Sequence, residues 1–248
     1  MPRVDLNCDL GEGAGHDAEL MPLISSANIA CGAHAGDEAT MRATVALAKR
    51  HGVAVGAHPG FADKENFGRK EQTLTEGEIH ALVARQIREL QAVARELGVR
   101  VGHVKPHGAL YNLAARDLPA ARAIAAAVRQ CDSRMRLVGL AGSTLVAEGR
   151  IATLEVGHEV FADRTYRPDG TLTPRDRPDA LITDVAAAVA QVRRMIREGK
   201  VRATDGTDVA IRADTICLHG DGPHAVEFAR AIWQGLKADG ITVGPIAP

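Results

Sequence analysis

The sequence predicts an α/β fold in which β/α units wind a mostly parallel sheet into a barrel. Three observations lead there. Short apolar runs alternate with longer amphipathic ones along the whole chain, the pattern of repeated β-α units. The length, 248 residues, suits an α/β barrel built as one unit. No linker-like stretch or shift in composition divides the chain, so a single domain over residues 1–248 is expected.

Seven strands are expected, at Arg3 to Cys8, Ser26 to Ala30, Val53 to Ala57, Val99 to Val104, Arg136 to Leu140, Ile151 to Val156 and Thr215 to His219. The clearest helix starts after Thr75, which forms a capping box with Glu78. Ile79, Leu82, Val83, Ile87, Leu90, Val93 and Leu97 then repeat at helical spacing up to Gly98. Similar stripes run from Ile182 to Ile196 before Gly199, and from Val226 to Leu236 before Gly240; Trp233 belongs to the second and reads as a packing residue. Two stretches break the alternation. Gly157 to Asp179, rich in Arg, Asp, Gly and Pro, reads as a long lid or binding loop. Val201 to Ala213 reads as a hairpin around Asp205-Gly206.

Composition narrows the function. Apolar residues make up 46% and charged residues 25%, enough for an ordinary core and an ordinary wet face. Thirty basic residues against 31 acidic ones leave no positive field for nucleic acid or anionic lipid. The start, MPRVDLNCDLGEG, lacks the basic and apolar stretches of an export signal, and no long apolar run occurs. A cytoplasmic protein is expected. Cys8, Cys31, Cys131 and Cys217 are scattered without a C-x-x-C pair and read as reduced, mostly buried thiols.

A strand lining a barrel is expected to turn apolar or small residues inward until its carboxyl end, where the catalytic groups of such enzymes sit. The unusual polar residues fall at those ends. The first strand carries Asp5, Asn7 and Asp9 at period two; the second carries Asn28 and then, past Cys31-Gly32, His34 and Asp37. The third ends at His58, the fourth carries His103, Lys105 and His107, and the last carries Cys217, His219 and Asp221. Any one histidine here has an ordinary structural explanation. Five strands delivering Asp, His or Lys to one mouth would form a pocket where burial and mutual charge tune acids and bases.

His103 and His107 make an H-x-x-x-H pair, but Pro106 forbids a regular helix through them. Asp9, His34 and His58 would be a reasonable set for a divalent ion, if one is bound. Gly220 to His224 opens the last helix and could hold a carboxylate or phosphate, or simply use Asp221 as its cap. Nucleotide motifs are missing: Gly11-Glu12-Gly13-Ala14-Gly15 has His16 where the third glycine of a dinucleotide fingerprint belongs, and no G-x-x-x-x-G-K-[ST] occurs. A G-x-S-x-G elbow is also missing.

Six blocks in order resemble the LamB/YcsF family over almost the full length: VDLNCDLGEG (4–13), SSANIACGAHAGD (25–37), GVAVGAHPGF with ENFGRK (52–61 and 65–70), HVKPHGALYN (103–112), EVFADRTYRPDGTLTPR (159–175) and ICLHGDGPHA (216–225). Departures are small: Ala33 and Gly60 stand where Phe and Ser are more usual, and Cys8 fills a position that Ala can take. The resemblance implies a seven-stranded parallel β/α barrel, TIM-like and related to polysaccharide deacetylases. It implies one component of an ATP-dependent 5-oxoprolinase that opens 5-oxo-L-proline to L-glutamate together with subunits B and C. ATP, with Mg2+, would be used by the complex and activated on the partner subunits, with no cofactor bound tightly here.

On that basis Asp9 is expected as general base, His58 or His107 as the acid for the departing nitrogen, and Lys105 as the cation facing oxygen or phosphate. Arg164 would grip the substrate carboxylate. Asn7, Asn28, His34, His103, His219 and Asp221 would complete the substrate pocket. Two rival expectations are a free-standing metal-dependent deacetylase or amidohydrolase and a noncatalytic subunit that delivers substrate.

Overall fold

The structure is a computed structural model that describes residues 2–218 and 225–246. Its elements follow one another as β1 (Arg3–Leu10), α1 (Asp17–Leu20) with a 3-10 turn (Met21–Leu23), β2 (Ser26–Ala30), α2 (Glu38–His51), β3 (Ala54–His58), α3 (Glu76–Glu96) and β4 (Val101–Val104). Then come α4 (Gly108–Ala114), α5 (Leu118–Cys131), β5 (Arg136–Leu140), α6 (Thr144–Ile151), β6 (Val156–Phe161) and α7 (Val185–Glu198). The chain continues through β7 (Lys200–Arg202), β8 (Asp208–Ala210), β9 (Thr215–Leu218), α8 (Ala225–Ala238) and β10 (Thr242–Val243).

Seven parallel strands, in the order β1-β2-β3-β4-β5-β6-β9, close on themselves through the β1–β9 pairing, so the expected barrel is present. β10 adds to the start of β1, Arg3 opposite Thr242. Because every barrel pairing is parallel, all carboxyl ends share one mouth. β7 and β8 form the expected antiparallel hairpin around Asp205-Gly206, outside the barrel.

Local chemistry explains the helix ends. Thr75 and Glu78 form the reciprocal capping box on α3. Asp37, Asp117, Ser143 and Asp184 each accept a backbone N–H at the start of α2, α5, α6 and α7. The cap at Asp184 explains why α7 begins after Ile182. Gly199 ends it in the left-handed conformation that favours glycine.

One strand is displaced from its expected place. Ile151 to Val156 is the end of α6 and a turn, and the strand is Val156–Phe161. Its Gly157, His158 and Glu159 look like loop residues, yet β6 runs beside β5 and β9 with Glu159 opposite Thr215. The long loop therefore begins only at 162. Within it Tyr166 is fully buried and its hydroxyl accepts the Phe161 N–H at 2.8 Å, while Gln191 donates to the Phe161, Ala162 and Arg164 carbonyls.

The expected apolar barrel interior is the larger correction. Val4, Leu6, Cys8 and Leu10 of β1, Ala27 and Ile29 of β2, and Ile216 and Leu218 of β9 turn outward, and with the helices they make the hydrophobic core. Asp5, Asn7, Ser26, Asn28, His103, Glu159 and Thr215 fill the inside and are buried there. Such a polar centre survives because its members satisfy one another by hydrogen bonds, with Glu159 Oε2 the one buried side-chain atom of these residues left without a partner.

Candidate active site

The network starts at the amino mouth. Asp5 Oδ1 accepts from the Ser25 and Ser26 hydroxyls at 2.6 and 2.7 Å, and Oδ2 accepts from Thr215 at 2.5 Å. One layer up, Asn7 Nδ2 donates to Thr215 at 2.6 Å and to Glu159 Oε1 at 3.0 Å. Asn28 Nδ2 donates to Asn7 Oδ1 at 2.7 Å and Asp9 Oδ1 at 2.8 Å, and Asn28 Oδ1 lies 2.9 Å from His103 Nε2. Asn28 and His103 thus sit beneath the layer that holds Asp9. They also line a cavity of about 360 Å3 at the amino mouth, with Asp5, Arg136 and Thr215. Burial, with Lys105 nearby, holds the His103 imidazole down to about 3, so it is neutral.

Lys105 is the pivot. Its Nζ lies 2.9 Å from both Asp9 Oδ1 and Glu159 Oε1, 3.1 Å from Cys217 Sγ and 3.3 Å from Asn7 Oδ1. Burial opposes the ammonium, but the carboxylates of Asp9 foremost and then Glu159 hold its pKa well above the usual lysine range. Burial pushes the Cys217 thiol up, which disfavours the thiolate that a nucleophile needs; Cys8 is shifted the same way.

At the carboxyl mouth, four more groups close around one point. Glu12 Oε1 lies 3.1 Å from His34 Nε2, 3.2 Å from His107 Nδ1 and 3.8 Å from His58 Nε2. The His34 and His107 rings stack with centroids 3.8 Å apart. Asp9 Oδ2 lies 3.3 Å from His58 Nε2 and joins this group to Lys105. Burial works against the Glu12 carboxylate, but hydrogen bonds from His107 and His34 bring it down to about 2. His34 is lowered by burial to about 4. His58 moves up, because Asp9 outweighs the burial that opposes its charge.

Backbone geometry makes the close approach possible. Gly11 takes φ +72° and turns Glu12 back over the mouth. A Cβ at Gly60 would stand 2.8 Å from His34 Nδ1, so glycine suits this chain where serine is more usual.

The expected residues divide as follows. Asp9, His34, His58, Lys105 and His107 converge; Asn7, Asn28 and His103 support them from below. Arg164 is buried, and its guanidinium donates to the Thr173 and Ala180 carbonyls at 2.5 and 3.3 Å, ordering the loop. Asp37 is a helix cap. His219, Asp221 and the helix start at Gly220 to His224 lie outside the described residues. Sequence reasoning missed Glu12 and Glu159. Glu12 sits off the strand alternation, in a glycine-rich turn whose pattern draws attention only as a broken nucleotide motif. Glu159 carries a signal in the period-two series Gly157, Glu159, Phe161, which becomes visible once the strand is placed at Val156–Phe161.

His58 Nδ1 lies 2.7 Å from the Lys105 carbonyl oxygen and His107 Nε2 lies 2.9 Å from that of Phe67. A carbonyl only accepts, so in each neutral ring the proton is on that nitrogen and the other, facing the centre, carries a lone pair. The expected acid role of these histidines therefore requires an imidazolium.

A closed parallel barrel with three imidazoles, three carboxylates and an ammonium gathered toward its carboxyl mouth has the architecture of a β/α-barrel enzyme. The chain belongs to the LamB/YcsF family, whose model matches residues 4–248. It is 52% identical over 243 residues to the 5-oxoprolinase A subunit of Neisseria meningitidis, covering 98% of this chain and 99% of that one. The crystal structure of the lactam utilization protein from Thermus thermophilus is similar to it at a TM-score of 0.92 and 49% identity, covering 98% and 99% of the two chains. A family 4 carbohydrate esterase from Streptomyces lividans shares the fold alone, at a TM-score of 0.53 and 14% identity, covering 100% and 94%. Among the described residues no helix is long and apolar enough to cross a membrane.

Proposed function

We propose that this chain is the A subunit of a cytoplasmic 5-oxoprolinase and that, with subunits B and C, it opens 5-oxo-L-proline to L-glutamate as ATP is hydrolysed to ADP. The names of its relatives support the reaction. The observation that carries the assignment of chemistry to this barrel is Asp9, held by Lys105 and Asn28 and opening onto the histidine cluster.

A five-membered lactam is an unreactive amide, so its opening needs an activated carbonyl. No P-loop occurs in this chain, and the partner subunits, with Mg2+, are assigned the transfer of a phosphoryl group to the carbonyl oxygen. At the barrel mouth water adds to the carbonyl carbon and Asp9 takes its proton, a step worth roughly 10² to 10⁴ in rate for a positioned base. The carbon–nitrogen bond then breaks with its electron pair on nitrogen, the added hydroxyl loses its proton as the carbonyl of the acyl phosphate forms, and Asp9 passes both protons of the water to nitrogen in turn. A second water hydrolyses the remaining acyl phosphate to L-glutamate and phosphate. Lys105 is a positioning residue in this scheme, since its donors are directed at Asp9, Glu159, Cys217 and Asn7. Arg164 orders the 162–184 loop.

The test is reconstitution with subunits B and C, following glutamate and ADP together. Asp9→Asn is expected to abolish glutamate formation while the protein stays folded; normal turnover by this variant would overturn the scheme. A free-standing amidohydrolase, which the Glu12 and histidine cluster also suits, would instead act on amides without ATP or partners. A substrate-delivery subunit would be required for turnover yet tolerate loss of Asp9.

A further inference from the structure

His58 Nε2 and His107 Nδ1 are 3.0 Å apart, and the carbonyls behind both rings leave each, when neutral, with a lone pair aimed at the other. The carboxylate of Glu12 enters the same space, 3.2 Å from the second nitrogen. Acceptors do not gather in a buried space without a positive charge to share. Lys105 does not supply it, because its ammonium lies a layer below on Asp9 and Glu159.

We infer that Glu12, His34, His58 and His107 form a divalent transition-metal site. The ligand atoms of the four residues lie within 4.8 Å of one another. Tetrahedral coordination at about 2.0–2.1 Å sets ligand atoms about 3.3–3.4 Å apart, and the distances measured from Glu12 run from 3.1 to 3.8 Å. Three imidazoles and one carboxylate suit zinc, and also cobalt, nickel or iron(II), rather than calcium or magnesium. Two of the three imidazoles have the outer shell that such sites use, the ring nitrogens of His58 and His107 being fixed by carbonyls, while His34 Nδ1 has no hydrogen-bond partner.

Phe67 adds an independent sign. It is one of two non-glycine residues among those described that have positive φ, at +54°, a conformation that bulky side chains avoid. Its carbonyl orients His107, and its ring packs edge-on against His34 and His107. The strain therefore lies where it holds two of the four ligands in place. This set replaces the expected one of Asp9, His34 and His58: Asp9 borders the site through His58 and is occupied with Lys105 and Asn28.

The test needs neither substrate nor partner subunits, so its outcome is separate from that of the proposed reaction. The full chain, stripped with a chelator and dialysed, is titrated calorimetrically with Zn2+ and then with Co2+, whose visible spectrum reports coordination. One ion per chain is expected, with a rise in melting temperature. Glu12→Gln and His107→Ala should each weaken binding more than about 100-fold, beyond the effect of removing an outer-shell partner, and circular dichroism checks that both are folded. Failure of the wild-type chain to bind an ion, with nuclear magnetic resonance showing a His58 imidazolium donating to His107, would overturn the inference. So would an ion that binds both variants as tightly as the wild type.

Discussion

Lys105 Nζ and Glu159 Oε1 lie 2.9 Å apart inside the barrel, and the Glu159 side chain has no contact with solvent. The same ammonium is 2.9 Å from Asp9. One buried cation thus serves two carboxylates, and through Asp9 it connects the barrel interior with the mouth.

Removing that cation is expected to leave two buried anions together. Lys105→Met should destabilise the chain by about 3–5 kcal/mol, the usual result of breaking a buried pair from one side. Glu159→Gln keeps the shape and leaves Lys105 its Asp9 partner, so a loss of only about 1–3 kcal/mol is expected. In the double variant the two losses should fall short of their sum by about 0.5–3 kcal/mol. Urea unfolding of the four proteins measures this; strict additivity would show that the pair is not coupled.

Gly56 of β3 lies beside His103 of the neighbouring strand β4, and a Cβ at this position would stand 2.0 Å from His103 Nε2. Gly56→Ala should therefore push the imidazole off Asn28 and cost about 1–3 kcal/mol by overpacking. The same substitution in a His103→Ala background should cost much less, because the ring it strikes is gone. Melting temperatures of the two pairs decide; equal penalties would mean that the backbone at Gly56, not the ring, is the sensitive element.

Stability is expected to fall between neutral pH and about 5. His103 is held near 3 and His34 near 4, by burial first in both. For these two the unfolded chain binds the proton more readily, so their contribution is complete above the ordinary value of 6.5 and is lost as pH falls toward the folded values. His58, raised above 6.5, works in the opposite direction and offsets part of the loss. Each group contributes a slope of about 1.4 kcal/mol per pH unit where only its unfolded form is protonated. His103→Asn should remove one such slope in denaturant titrations at pH 7, 6 and 5. An unchanged slope would show that His103 titrates normally.

Much of the fold was legible because it rests on local rules. Six of the seven barrel strands fall where apolar runs and turn residues place them, to within a residue or two, and α3 starts at its predicted capping box. The exception, β6, was hidden because its inward residue is a glutamate and its neighbours are glycine and histidine. In the site, Asp9, His58, Lys105 and His107 were legible as polar residues at strand ends, where period two and a shared direction suffice. Glu12 was not, because it arrives by a turn whose path depends on Gly11 at φ +72°.

The sequence by itself determined the alternation of strands and helices, the family and the mouth at which the chemistry gathers. These follow from short-range periodicity and from residues read one strand at a time. Only the tertiary structure decided that the barrel interior is polar and that Glu159 and Asp9 share Lys105. It also decided that Glu12, rather than Asp9, is central to the histidine cluster. Those relationships join residues as far as 210 positions apart, such as Asp5 and Thr215. They depend on closure of the barrel, which sets the distances on which hydrogen bonds and charge act.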